Sequence, residues 1–111
     1  MNELFEIFEK LGLPYFRQGS LSDDNYPNSF FTFWNIDTPS DCFYDNEERC
    51  YKEIINVYFY TNNPKIIYSK MDEFIKEAKL KGFIVEGHGK DTSSGKIDYF
   101  GRYITITIIH R

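Results

Sequence analysis

Gly87-His88-Gly89-Lys90 is the stretch whose residue types come nearest to known chemistry. Glycines beside a lysine suit an anion: bare backbone N–H groups approach it, and the ammonium neutralises it. The stretch lacks the glycine-rich span ahead of a Lys-Ser/Thr pair, and it follows a strand without opening a helix. It therefore reads as a hairpin shoulder. His88 has the right pKa range for a general base, but no partner can be named for it, and His110 likewise reads as a solvated strand-end histidine. Cys42 and Cys50 with two distant histidines do not make a zinc pattern. The acids of 37–50 do not follow the alternating spacing, glycine and distal glutamate of a calcium loop. Trp34, Phe30, Phe31 and Phe33 are the residue types that stack bases, but no basic residue interleaves with them, so they read as core or interface. With no nucleophile–base pair, the expectation is a chain without enzyme activity, cofactor or metal.

The more informative chemistry is that of contact. Asp37 to Cys50, DTPSDCFYDNEERC, carries five acids and one arginine, yet holds Phe43 and Tyr44 at its middle. Apolar anchors inside a charged rim are what a protein interface needs. Phe43 and Tyr44 are the candidate anchors, with Asp41, Asp45 and Glu48 as the rim that steers approach. The alternative is that the two rings fold back on the sheet of their own subunit. Lys90 and Lys96, on the polar tip Gly89 to Lys96, are the basic interface candidates. That tip has two glycines and nothing to bury, and is expected to be mobile in the free protein.

These residues need a scaffold, and the stretch from Glu53 to Gly82 supplies its centre. Glu53 to Tyr60 alternates with period two and is rich in β-branched and aromatic residues, which predicts a strand. Either of its faces is a candidate for burial. Asn63 is placed to cap a helix and Pro64 to occupy its first position. Ile67, Met71, Phe74, Ile75 and Ala78 then make one apolar stripe, and Gly82 ends it behind Lys79 and Lys81. Asn2 to Leu11 is a short amphipathic helix with Leu4, Ile7, Phe8 and Leu11 on one face, ended by Gly12. Tyr15 and Phe16 are a candidate edge segment, and Phe30 to Ile36 a strand apolar on both sides. Phe83 to His88 and Ile97 to Ile109 read as a final hairpin, with Gly101 as a bulge or kink. The expected core is Ile55, Val57, Phe59, Met71, Phe74, Ile75, Ile104, Ile106 and Ile108. The order α-β-β-α-β-β predicts a single α+β domain over 1–111, a mostly antiparallel sheet with two helices packed on one face.

Composition bounds the function. A net charge of -4 argues against sequence-independent nucleic-acid binding, which needs clustered Lys and Arg. The charge is uneven: residues 1–50 hold three basic and ten acidic side chains, and 51–111 ten basic and seven acidic. Such asymmetry suits head-to-tail self-association. No stretch has the length of a membrane span, and no signal peptide is read at the start. The expected setting is reducing, with both thiols free. Eleven Phe and nine Tyr are more aromatic surface than a domain of this size needs for itself, which points to contacts with other chains.

Several of these features occur together in a known family. A short helix ends in Gly12-Leu13-Pro14, and an aromatic strand precedes an acidic insert. Ile55 to Thr61 (INVYFYT) leads through Asn63-Pro64 to a helix closed by Lys79, Lys81, Gly82 and Phe83. Tyr99 to Tyr103 (YFGRY) precedes alternating isoleucines. This layout, over most of the chain, resembles the tail-completion and tail-terminator proteins of long-tailed phages and prophages. The resemblance implies an α+β protomer in a homo-oligomeric ring, of six subunits, that caps the tail tube and joins it to the neck or connector protein. It implies a virion protein, present in the host cytoplasm during assembly, with no enzyme activity or cofactor. The alternative from another class is a small cytosolic acidic binding protein, an inhibitor or immunity-type protein that neutralises a basic partner surface.

Overall fold

The computed structural model describes residues 2–17, 27–37, 51–85, 87–93 and 99–110. Helix α1 runs Asn2–Leu11, strand β1 Tyr15–Arg17, β2 Ser29–Asp37, β3 Tyr51–Thr61, helix α2 Ile67–Leu80, β4 Ile84–Val85, β5 Lys90–Ser93 and β6 Phe100–His110. The strands form one sheet in the order β1-β2-β3-β6-β4, with β5 also pairing β6. Every pairing is antiparallel except the short β1–β2 edge. Both helices lie on one face, so the α+β expectation holds.

The buried face of β3 is the one that carries Glu53, Ile55, Val57, Phe59 and Thr61. Across it stand Phe31 and Phe33 of β2 and Ile104, Ile106 and Ile108 of β6. α1 closes this layer with Leu4, Ile7 and Phe8, and α2 with Ile67, Met71, Phe74, Ile75 and Ala78. All nine expected core residues are buried. Their centre is an aromatic triangle: Phe8, Phe31 and Phe74 have ring centroids 4.9, 5.7 and 5.6 Å apart. It joins both helices to the sheet, and rings at these distances attract beyond their area burial. At the surface, Lys10 donates to Glu77 at 2.9 Å, and Lys81 pairs with Glu6 across the same helix pair.

Several local expectations need correction. α2 begins at Ile67, not at Pro64, and its N-cap residue, Ile66, makes no side-chain cap. Asn63 instead closes a turn: its Oδ1 accepts from the Lys65 N–H at 3.0 Å, and its carbonyl accepts from the Ile66 N–H at 3.3 Å. Local side-chain bonds of this kind compete with helix. The C-terminal reading holds, since the Phe83 N–H reaches the Ala78 carbonyl and the Gly82 N–H that of Lys79, the paired bonds of a Schellman end.

The last third of the chain differs more. Phe83 to His88 is not one strand, because β4 is only Ile84–Val85. Within the tip Gly89 to Lys96, Lys90–Ser93 is a strand paired with Tyr103 to Phe100, so these four residues are held rather than loose. Gly101 is not a bulge. It sits in unbroken register opposite Tyr60 and Thr92. A Cβ there would lie 2.9 Å from Tyr60 Cε1 and from Thr92 Cγ2, and 3.0 Å from the Thr92 carbonyl oxygen. The glycine allows close approach of three strands. The irregularities fall elsewhere, between Asn35 and Asp37 in β2 and between β4 and β5.

Candidate interaction surface

The strand alternation that buries one face sends a second set of side chains to the face without helices. Read through the registers, four rows of described side chains cross that face. Phe30, Tyr60, Gly101 and Thr92 form the first. Thr32, Tyr58, Tyr103 and Lys90 form the second, and Trp34, Asn56 and Thr105 the third. Ile54, Thr107 and Ile84 form the fourth, with Ile36 beside Ile54 as the extra residue of the β2 bulge.

Exposure changes along these rows. At the first, Phe30 is buried by Phe16, Tyr60 and Tyr99. The Tyr99 hydroxyl donates to the Pro27 carbonyl at 2.8 Å. In the middle, Tyr58 stacks on Tyr60 and on Tyr103, with centroids 6.0 and 5.3 Å apart. The Tyr60 phenol is raised above its ordinary pKa, first because burial disfavours the phenolate and then because Tyr58 stands beside it. At the far rows the cover ends. Trp34 is 49% exposed, Ile36 48% and Ile84 50%. Large apolar side chains left open together mark a contact surface rather than scattered exposure.

A groove of about 490 Å³ opens on this end of the face. Ile54, Ile84, Thr105, Thr107 and Tyr103 line it along the strands, and Gly87, His88, Gly89 and Lys90 form its rim. The rim exists because the edge strand is interrupted. Val85 pairs with Ile106 and Lys90 with Tyr103, so the edge gains two residues over β6 between these points. Gly87 and Gly89 make the turns with φ of 75° and 93°. At Gly89 a Cβ would also stand 2.8 Å from the Tyr103 carbonyl oxygen, so the position is closed to side chains on two counts.

Arg102 braces the rim from the helix side. Its guanidinium donates to Asp91 Oδ1 at 2.7 Å and to the carbonyls of His88 and Gly89 at 3.1 and 3.2 Å. It also lies over the Tyr68 ring of α2, 4.8 Å from the centroid. Tyr68 in turn donates to Asp91 at 3.2 Å. The bulge is thereby tied to the helix layer.

Of the interface candidates read from sequence, Lys90 lies on this surface, exposed at the groove rim. Asp41, Phe43, Tyr44, Asp45, Glu48 and Lys96 lie outside the described residues, as do Cys42 and Cys50. His88 is exposed on the rim, and the stretch around it is a bulge in an edge strand rather than the shoulder of a single strand. Among the described residues no three His, Cys, Asp or Glu side chains gather, and no described helix is long and apolar enough to cross a membrane. The alternation of β6 set Thr105 and Thr107 opposite the buried isoleucines, as the structure has them, but sequence reasoning did not bring them together with Ile54 and Ile84 as one groove. The usable signal was the pair of glycines two apart in an edge strand, which marks a bulge next to a concavity. No protein-family model matches the chain, and no curated protein matches it in sequence.

Proposed function

We propose that this chain is a structural assembly protein of the tail-terminator or tail-completion kind, a subunit that closes into a six-membered ring at the end of a phage tail tube. The resemblance of its sequence layout to that family supplies the specific reading. One structural observation supports an assembly role. The sheet face opposite the helices keeps Trp34, Ile36 and Ile84 about half exposed in a single copy. Covering such a face with another chain removes apolar area from water at roughly 25 cal/mol per Å². In this reading the tail tube protein and the neck or connector protein lie on the two sides of the ring. The protein acts by contact and turns over no substrate.

The test is assembly of tails with and without this chain, followed by microscopy. Tubes of defined length ending in a six-fold ring that contains this chain are expected. A chain that attaches to no symmetric structure would sink the reading. Trp34→Ser and Ile84→Ser should lower incorporation into the particle by more than any fall in the unfolding midpoint of the free protein accounts for, since about half of each residue is already in water.

A further inference from the structure

We draw no further inference here: the strongest candidate, the groove lined by Ile54, Ile84 and Thr107 on the helix-free face, opens at the end of the sheet where β2 leaves at Asp37 and β3 enters at Tyr51, and nothing in the structure shows what covers it.

Discussion

Arg102 and Asp91 face each other across the β5–β6 pair, with Nη1 and Oδ1 2.7 Å apart, and this pair fixes the shape of the open face from its reverse side. The guanidinium is mostly buried while the carboxylate is mostly in solvent, with 15% and 65% of the side chain exposed. The ion pair alone is therefore a modest contributor. What raises its weight is the same guanidinium reaching the carbonyls of His88 and Gly89 and covering the Tyr68 ring. One planar fork holds strand, bulge and helix together.

Replacing that fork should loosen the rim before it unfolds the domain. Arg102→Met keeps the apolar stem, leaves the two carbonyls without this donor and leaves Asp91 only the Tyr68 hydroxyl, a loss of about 1–3 kcal/mol. Amide exchange across Lys90–Ser93 should quicken more than exchange in β3. Arg102→Lys should recover little, because an ammonium cannot span the same acceptors. Equal protection of β5 in all three proteins would show that the rim is held by the strand pairing alone.

Phe74→Ala should lower stability by about 3–5 kcal/mol, read from the denaturant midpoint at constant slope. The ring is fully buried and packs on Phe8 of the other helix and Phe31 of the sheet. Its removal opens a cavity where three elements meet. A shift below about 1 kcal/mol would mean that the helices close over the gap, and would question this ring as the junction.

Gly101→Ala should cost about 1–3 kcal/mol, the range for overpacking. The added methyl meets the Tyr60 ring edge and Thr92 Cγ2, which can move, but also the Thr92 carbonyl oxygen, which belongs to the backbone. Adding Thr92→Ala removes the methyl contact and leaves the carbonyl, so partial recovery is the expected result in thermal melts. Full recovery would assign the whole cost to the Thr92 side chain.

Alkaline solution should destabilise the fold through groups acting in the same direction, Tyr60 and Lys81 among them. The Tyr60 phenol is raised above its ordinary 10.0 by burial and by Tyr58. The Lys81 ammonium is raised above 10.5, chiefly by its hydrogen bond to Glu6, against an opposing effect of burial and with added attraction from Glu6, Glu77 and Glu3. Each holds its proton more tightly when folded, so the unfolded chain releases protons first. The stabilisation is complete below the ordinary pKa values and is lost as pH rises through the folded ones. The thermal midpoint should fall as pH climbs past 10, and Tyr60→Phe should flatten part of that fall. Phenolate absorbance of the folded protein should show Tyr60 and Tyr15 titrating late, the second raised by burial and then by Glu9.

The sequence by itself determined the layers of this protein. Period two in Glu53 to Tyr60 and in Ile104 to Ile108, together with helical spacing in Leu4–Phe8 and Ile67–Ala78, settled strands and helices, because a periodic apolar face has few ways to be buried. Which face of β3 went inside was undecided in the strand itself, since Ile54, Tyr58 and Tyr60 are as apolar in type as Ile55, Val57 and Phe59. The choice came from pairing: the register sets Val57 against Phe33 and Ile104, and Phe59 against Phe31, on the side where α1 and α2 bring Phe8 and Phe74. Asn63-Pro64 looked like a helix start and became a turn, because side-chain bonds closed locally before helical bonds formed. Lys90–Ser93 looked like a loop because its side chains are polar, whereas its strand depends on backbone bonds to β6 and on the Arg102 brace eleven residues from Asp91. The groove belongs to the same category. Ile54, Ile84 and Thr107 are far apart in the chain and neighbours only across the sheet, so no spacing in the sequence announces them, and only the tertiary structure, by covering one face with helices and interrupting the edge strand at Gly87 and Gly89, made them a surface.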